Sequence, residues 1–423
     1  MEGLSSTSLA LLGLGLAALA VAAFVYRARS AGGGTKGWRP RIRDDEALAT
    51  ALERIAGKHG QPALAAALVH RGEIVARAAV GRTVAGGGRP VDLESRFHLG
   101  STTKGVTALL VALLVREGRL RYDTTLGSVL GGVPMRDEYE GVTVRDLLLH
   151  RAGVMAMQDT TREDPAAVTT LWSDLPARVP DPGGQRREMA KLVLALPPIA
   201  PVRTKHVYSN VGFGVLGLVA ETAAGESFES LVAGRIFGPL GMKTARLGGW
   251  PCSAAEPDQP RGHYVEAGRL RPQPLDDEYA FPAWMNPAGG LHCGIEDFAR
   301  YAREVLLGRQ GQGTLLDRTG YEEMHAAQAT VSVAEMYGPS LELLTASYGT
   351  DVSRETVTIG YGWGVVATPR GDVSVGDGSG GTFFARVVVF PALDAAFVGA
   401  TTTGAGAPAL GEAIEKVTGL DWK

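Results

Sequence analysis

Cysteine is scarce in this sequence, and no metal-binding pattern is recognisable. Only two cysteines occur among 423 residues, Cys252 and Cys293, so the chain has no framework of several disulfides. The sequence leaves open whether these two residues pair. The eight histidines show no HExxH or comparable ligand spacing. We therefore expect no metal and no other cofactor.

Strong charge of either sign is also absent. The formal net charge is -3 and the sequence pI is about 6.3, which gives no support for nucleic-acid binding. The glycine run at residues 86–88 is not followed by Lys-Ser or Lys-Thr, so we predict a hairpin loop rather than a phosphate-binding loop. With 45% hydrophobic residues, the chain can bury a large core in one or two domains.

One long hydrophobic run lies at the N-terminus. Residues 3–26 carry no charge, and residues 9–26 are almost wholly apolar, near the length that crosses a bilayer. A cleaved signal peptide, with a cleavage site near residues 18–20, is the alternative, but the segment lacks a basic n-region. We expect a single-pass membrane anchor over residues 1–29 and a linker over residues 30–44. Basic residues after the span favour a cytoplasmic position for the rest of the chain.

A serine and a lysine three residues apart precede a second apolar segment. Residues 105–115 form an apolar run that is typical of a buried helix, and Gly118 would end that helix. If the helix begins near Ser101, then Ser101 and Lys104 lie one turn apart on the same face. A serine at the positive end of a helix dipole, with an amine against it, can become a nucleophile. The alternative is that Ser101 only caps the helix and Lys104 is solvated, although a lysine in the first turn opposes the dipole.

A second candidate motif, Tyr-Ser-Asn, occupies residues 208–210 ahead of another apolar segment. The Tyr208 phenol can act as a base if a nearby cation, such as Lys104, lowers its pKa. The Asn210 amide can donate to a substrate carbonyl and accept from the lysine. In the alternative interpretation, Tyr208 is a buried aromatic residue and Asn210 caps the next helix.

The periodicity elsewhere predicts several elements. Residues 63–69 and 74–80 are expected to form a hairpin, and residues 298–307 and 409–417 to form helices. Further strands are expected at residues 356–367, 373–375, 385–390 and 395–401. The Pro-, Asp- and Arg-rich residues 158–201 are expected to be irregular.

Six ordered segments resemble the serine β-lactamase and penicillin-binding-protein family, specifically its class C β-lactamase-like and esterase-like branch. The resemblance runs from about residue 63 to about residue 404. The segments are FHLGSTTK at 97–104, LVREGRL at 114–120, VTVRDLLLHRAG at 142–153, YSN at 208–210, IFGPLGM at 236–242, and NPAGGL at 286–291 with EDF at 296–298.

The resemblance implies an α+β fold in one serine hydrolase domain over residues 45–420. An antiparallel sheet from about residues 45–98 and 290–420 would be flanked by N- and C-terminal helices, and residues 99–289 would form a mostly helical lobe. Many bacterial relatives act outside the cytoplasm, which conflicts with the charge pattern after the anchor, so the side of the membrane stays open. The sequence gives no oligomeric state.

The resemblance also implies an acyl-enzyme mechanism. Ser101 would attack an ester or amide carbonyl, with Lys104 and Tyr208 as a coupled proton-transfer dyad. Tyr208 would be the general base of acylation and would help to activate water in deacylation. Asn210, Gly378 and Ser379 would bind the substrate or its oxyanion.

The third motif of the family is altered here. The family has a Lys-Thr-Gly or His-x-Gly strand opposite the nucleophile, whereas this chain has Gly376 at the cationic position and reads Gly-Asp-Gly. The backbone N–H groups of Ser101 and Ser379 would still supply an oxyanion hole. An inward-pointing Asp377 would repel a substrate carboxylate, unless Arg386 serves as an alternative cation.

The missing cation leads to a prediction of an esterase or amidase acting on small neutral acyl substrates. Two alternatives remain. One is β-lactamase or D,D-peptidase-type activity, and the other is a catalytically silent, membrane-tethered relative.

Overall fold

The computed structural model describes residues 37–157, 165–266, 268–275, 281–334 and 356–420. The anchor predicted for residues 1–29 lies outside these ranges, as does the first part of the linker. Within the described ranges, no helix is both long and apolar enough to cross a membrane.

The strands are mostly antiparallel and short. The described strands, in chain order, are β1 Ala63–His70, β2 Glu73–Val84, β3 Gly87–Pro90, β4 Phe97–His98, β5 Arg246–Leu247, β6 His263–Glu266, β7 Arg269–Pro272, β8 Leu291–Cys293, β9 Ala329–Ser332, β10 Thr356–Ile359, β11 Gly364–Thr368, β12 Gly371–Ser379, β13 Phe384–Phe390 and β14 Ala395–Thr401.

A nine-stranded antiparallel sheet forms the centre of the fold, in the order β3-β2-β1-β14-β13-β12-β11-β10-β9. N-terminal and C-terminal strands therefore share one sheet, as the resemblance implied. Every residue of β1, β13 and β14 is buried, which requires that both faces of the sheet are covered there. This explains why these strands are continuous apolar runs rather than alternating patterns.

Seven described helices have eight residues or more: α1 Asp45–His59, α2 Thr103–Arg116, α3 Pro182–Leu194, α4 Asn210–Ala224, α5 Ile295–Arg309, α6 Arg318–His325 and α7 Ala407–Thr418. The first and last, α1 and α7, pack against each other and against the sheet. Helix α5 packs along β14 and β1. Helices α2 and α4 are almost entirely buried, and they contact each other in the helical lobe.

Most of the predicted elements are confirmed. Strands β1 and β2 pair as a hairpin, helix α2 covers the apolar segment after Lys104, and α5 and α7 cover the predicted C-terminal helices. The single strand predicted for residues 356–367 is in fact two, β10 and β11, because the chain turns between Ile359 and Gly364.

The prediction of an irregular excursion over residues 158–201 is wrong for most of its described part, since residues 165–178 are helical and a longer helix follows them. Helix α3 occupies 13 residues there. The side chain of Asp181 caps it by accepting from Gly184 N, and Pro182 occupies its first turn. An acidic cap followed by proline is a helix-start signal that outweighs the general richness in Pro and Arg.

Candidate active site

Ser101 lies in a 3-10 turn, Gly100–Thr102, that leads directly into helix α2. The turn is held by its neighbours, since Thr102 Oγ1 donates to Leu99 O at 3.0 Å and Thr103 Oγ1 donates to Gly100 O at 2.6 Å. No side-chain hydrogen bond caps either the turn or the helix that follows it, so Ser101 is not a helix cap. Its hydroxyl is partly exposed at a cavity, as a nucleophile requires.

Lys104 is buried beneath the serine and is not solvated. Its Nζ lies 3.1 Å from Ser101 Oγ, 2.8 Å from Asn210 Oδ1 and 2.8 Å from Ala288 O. Ala288 belongs to the short helix Asn286–Gly289. The lysine thus joins three of the segments on which the family resemblance rests.

Tyr208 completes the group around the serine. Its hydroxyl donates to Ser101 Oγ at 2.8 Å, and Lys104 Nζ lies 4.8 Å from the centroid of its ring. The structure therefore brings together the three residues that were predicted to be catalytic. Tyr208 is contributed from more than a hundred residues away along the chain.

Asn210 is the first residue of helix α4, and the residue that caps this helix is Ser209, whose Oγ accepts from Gly212 N. Asn210 Nδ2 donates to Met157 O at 2.8 Å, and Oδ1 accepts from Lys104. The predicted contact with the lysine is present. One of the two N–H groups of the amide, which was expected to donate to a substrate carbonyl, donates to Met157 O instead.

Two histidines that were given no role from the sequence also lie at this site. His150 Nδ1 accepts from Ser209 N at 3.0 Å, and its ring stacks on that of Tyr208. His206 Nδ1 lies 3.1 Å from Leu149 O, and Val207 N donates to His150 O. These bonds tie the segment that carries Tyr208 to the turn that ends at His150.

The end of strand β12 approaches the serine turn with backbone against backbone. A Cβ placed on Gly378 would lie 1.9 Å from Leu99 O and 2.7 Å from Ser101 N, so no side chain fits at this position. A Cβ on Gly100 would likewise lie 2.5 Å from Ser379 N. The amides of Ser101 and Ser379 are therefore held close together, the arrangement that an oxyanion hole needs.

Asp377 presents no free charge to the cavity. Both of its carboxylate oxygens accept from Arg386 at 2.7 Å, across the register pair of β12 and β13. The two side chains are 0% and 4% exposed. The expectation that an inward-pointing Asp377 would repel a carboxylate is therefore wrong, and Arg386 is not a cation that faces the substrate.

A cavity lies in front of Ser101, with about 630 Å³ of empty space that includes the open solvent at its mouth. One wall carries Lys104, Tyr208, His150 and His206, and the other is formed between residues 357 and 364 and by residues 375–377 of β12. Among the described residues that line it, Lys104 is the only lysine or arginine. The cavity is thus mostly apolar and without a free cation, with a few polar groups close to the serine.

Burial shifts the proton affinities of this site strongly. It holds the pKa of Lys104 well below its usual value and raises the pKa of Tyr208, although the bond to Ser101 opposes the second shift. Burial, His206 and Lys104 hold the pKa of His150 well below its usual value. The expected lowering of the Tyr208 pKa by a charged lysine is therefore not found, because a buried lysine favours its neutral form.

The described ranges contain no candidate metal site. They contain no group of three or more His, Cys, Asp or Glu residues that could hold a metal ion. Cys252 and Cys293, whose pairing the sequence left open, are both buried free thiols.

Comparison with known proteins places this geometry in a family. The family model described as "Beta-lactamase" matches residues 48–421, which is most of the chain. The chain belongs to the β-lactamase family. Proteins of this fold among its relatives are serine hydrolases with amidase, peptidase or lactamase activity. The mixed α+β architecture implied by the sequence resemblance is confirmed.

Individual members of the β-lactamase family show the range of similarity. The chain is 29% identical to a penicillin-binding protein 4 of Amycolatopsis lactamdurans over 57% of its length and 55% of the relative. It is 26% identical to a D-aminopeptidase of Cereibacter sphaeroides over 74% of its length and 54% of the relative. The chain thus spans about half the length of these two curated relatives.

A solved structure of a D-stereospecific amidohydrolase from Streptomyces sp. has the same fold. The two chains superpose with a TM-score of 0.62 at 22% identity, and the similarity covers 89% of this chain and 99% of the other.

Proposed function

We propose that this chain is a serine hydrolase that forms an acyl-enzyme at Ser101, and that it acts as an esterase or amidase on small neutral acyl substrates. One observation carries the proposal: Ser101 Oγ lies within hydrogen-bond distance of both Lys104 Nζ and Tyr208 OH, at the wall of a cavity. A nucleophile with two proton-transfer groups in reach is the arrangement that covalent catalysis requires.

We assign the proton acceptor of acylation to Lys104, rather than to Tyr208 as the resemblance implied, because burial lowers the pKa of Lys104 and raises that of Tyr208. A neutral amine has two N–H donors, which Asn210 Oδ1 and Ala288 O can accept. Its one lone pair then faces Ser101 Oγ at 3.1 Å. As the Oγ–carbonyl bond forms, the serine proton passes to Lys104 Nζ, a transfer worth about 10²–10⁴ in rate.

Tyr208 stays protonated until the second half of acylation. The phenol donates this proton to the leaving oxygen or nitrogen as that bond to the acyl carbon breaks. The products are a free alcohol or amine, a Tyr208 phenolate and a Lys104 ammonium. The ammonium nitrogen lies 4.8 Å from the centroid of the phenol ring, so the two opposite charges stabilise each other.

Deacylation returns both protons. A water molecule gives one proton to the Tyr208 phenolate and attacks the acyl carbon. Lys104 then returns its proton to Ser101 Oγ as the ester bond breaks and the carboxylic acid leaves. Backbone N–H groups of Ser101 and Ser379 would stabilise the oxyanion in both steps, and losing one such donor typically costs about 10²–10³ in kcat.

The preference for neutral substrates is supported by the charges at the cavity. Position 376 is glycine, and Asp377 and Arg386 neutralise each other in a buried ion pair. Lys104 is the only lysine or arginine among the described lining residues, and burial favours its neutral form, so a substrate carboxylate would meet no free cation there. Binding a carboxylate without a partner carries a desolvation cost that a neutral ester or amide avoids.

β-Lactamase or D,D-peptidase-type activity is the second candidate, because a penicillin-binding protein is among the relatives. Turnover of p-nitrophenyl acetate and of nitrocefin by the wild type and Ser101→Ala separates the two. We expect the wild type to hydrolyse the ester much faster than nitrocefin, and Ser101→Ala to hydrolyse neither. Efficient nitrocefin turnover would reverse the order of the two candidates, whereas Ser101-independent ester turnover would refute both.

A further inference from the structure

His206 lies two residues before Tyr208, lines the same cavity as Ser101, and has no part in the proton transfers described above. Its side chain is buried, with the whole residue only 7% exposed. The residue is close to the reacting group. Its ring is 5.3 Å from that of His150, which is in turn 4.5 Å from that of Tyr208.

The hydrogen bonding of His206 defines its tautomer. Nδ1 lies 3.1 Å from Leu149 O, and a carbonyl oxygen can only accept, so Nδ1 carries the hydrogen. Burial lowers the pKa of His206 to about 4, against an opposing effect of the Leu149 bond, so the ring is neutral near pH 7. Nε2, on the other edge of the ring, therefore has a lone pair and no hydrogen.

This lone pair is unused. Nε2 of His206 is buried and has no hydrogen-bond partner among the described residues. A buried acceptor without a partner is destabilising, so such atoms usually meet a ligand, an ordered water or a functional need. Because His206 is one of the residues that line the cavity in front of Ser101, we take a ligand in that cavity as the partner of Nε2.

The location of His206 indicates which part of the substrate it would meet. In the proposed mechanism, Tyr208 protonates the leaving group, so the leaving group has to lie on the side of the scissile carbonyl where Tyr208 stands. His150 and His206 continue the same wall of the cavity beyond the phenol.

We propose that His206 Nε2 accepts a hydrogen bond from the leaving group, and that this chain therefore prefers esters or amides whose leaving group carries a second hydroxyl or N–H donor beyond the scissile bond. The inference rests on the proposed function, because it assumes acyl transfer at Ser101. It goes further by naming a leaving-group subsite and the chemistry that this subsite selects.

Matched esters test the subsite directly. Acetate esters of ω-hydroxyalkanols are compared with their ω-methoxy counterparts, with carbon chains of two, four and six. The members of each pair have leaving groups of similar intrinsic reactivity, and they differ in one donor. We expect the wild type to favour the hydroxy ester of the best chain length by about threefold to tenfold in kcat/KM, the effect of one hydrogen bond.

Two substitutions separate the acceptor from the structural bond of the ring. In His206→Asn, the shorter amide can still donate to Leu149 O but has no acceptor at the position of Nε2. In His206→Gln, the longer side chain can place an oxygen there. The hydroxy-to-methoxy ratio should fall to about 1 in His206→Asn and remain above 1 in His206→Gln. Melting temperatures establish that each variant is folded.

The outcomes distinguish this inference from the proposed function. A wild-type ratio near 1 at every chain length, or an unchanged ratio in folded His206→Asn, overturns the subsite but leaves hydrolysis at Ser101 intact. If neither variant folds, the hydroxy-to-methoxy ratio of the wild type alone is the test of the subsite. Absence of turnover of all these esters, together with absence of fluorophosphonate labelling of the wild type, would overturn both.

Discussion

The imidazole of His150 stacks on the phenol ring of Tyr208, with ring centroids 4.5 Å apart and the ring planes 30° from each other. The same histidine accepts from Ser209 N at 3.0 Å and, through its carbonyl, from Val207 N at 2.8 Å. His150 has a φ of +55°, a left-handed conformation that asparagine adopts more easily than most residues. One residue thus restrains both the ring and the backbone of the proposed acid–base tyrosine.

Substitution of His150 should therefore lower kcat more than it changes KM. His150→Ala removes the ring and the acceptor, and we expect kcat to fall by about 100-fold, as a misplaced catalytic group typically causes. His150→Asn tolerates the backbone conformation and can still accept from Ser209 N, so we expect a smaller loss of about tenfold. Steady-state kinetics with p-nitrophenyl acetate would check both values. Wild-type kcat in folded His150→Ala would show that the stack does not position Tyr208.

The lowered pKa of Lys104 should be visible in the pH dependence of the rate. A general base works only when unprotonated, so kcat/KM should fall as the pH drops through the pKa of Lys104. Because burial lowers that pKa, the rate should reach its plateau well below pH 10.4, the usual pKa of a lysine.

An arginine at position 104 supplies the matched variant. Arginine keeps a positive charge but cannot give up its proton, so Lys104→Arg should lose about 10²–10⁴ in kcat/KM across the whole pH range. The profiles of both proteins would be measured from pH 5 to pH 10. A wild-type rate that still rises steeply at pH 10 would contradict the assignment of Lys104 as the base.

Strand β12 approaches the serine turn so closely that one methyl group added to Gly378 should disturb the active site. Gly378→Ala would place a Cβ within 1.9 Å of Leu99 O, so strand and turn must move apart. We expect kcat to fall by about 10²–10³ as the two amide donors separate.

Gly411→Ala is the control for that substitution. Gly411 lies in helix α7, and a Cβ there would meet nothing within 4 Å. Alanine should leave activity unchanged and stabilise the protein by about 0.5–1 kcal/mol, since glycine is a poor helix former. Activity and urea unfolding of both variants would be measured together. Equal activity in the two would refute an oxyanion hole at this contact.

Stability should fall in acid because of His98. This residue is 0% exposed, packs against Trp250 and Phe281, and burial lowers its pKa to about 3. Between the folded pKa and about 6.5, the unfolded chain binds a proton that the folded chain does not, so stability is lost as the pH falls below 6.5.

The size of that effect can be tested with His98→Phe, which keeps an aromatic ring in the pocket and removes the titration. The loss of unfolding free energy between pH 7 and pH 4.5 should be smaller in the variant than in the wild type, by about 2–3 kcal/mol. Urea unfolding at the two pH values measures this difference. Parallel losses in the two proteins would show that His98 is not responsible.

The sequence predicted those parts of the site that depend on local spacing. Lys104 follows Ser101 by three positions, a spacing that places both side chains on one side of a helical start, and their polar atoms lie 3.1 Å apart. The hairpin of β1 and β2 was likewise predicted from two apolar runs with a turn between them.

The remaining features depend on contacts between distant segments, which spacing does not encode. The bond from Asn210 to Met157 O, which uses one of the two amide donors, requires the fold of the helical lobe. The pairing of Asp377 with Arg386 requires the register of two neighbouring strands. The position of His150 depends on its φ of +55°, which the residue pattern does not predict.

The most direct test of the account is labelling by a fluorescent fluorophosphonate, followed by peptide mapping of the labelled site. Wild type, Ser101→Ala and Ser230→Ala would be compared, since Ser230 is exposed and lies outside the cavity. The account predicts that the wild type and Ser230→Ala are labelled on Ser101, and that Ser101→Ala is not labelled. No labelling of the folded wild type, or equal labelling of Ser101→Ala, would contradict it.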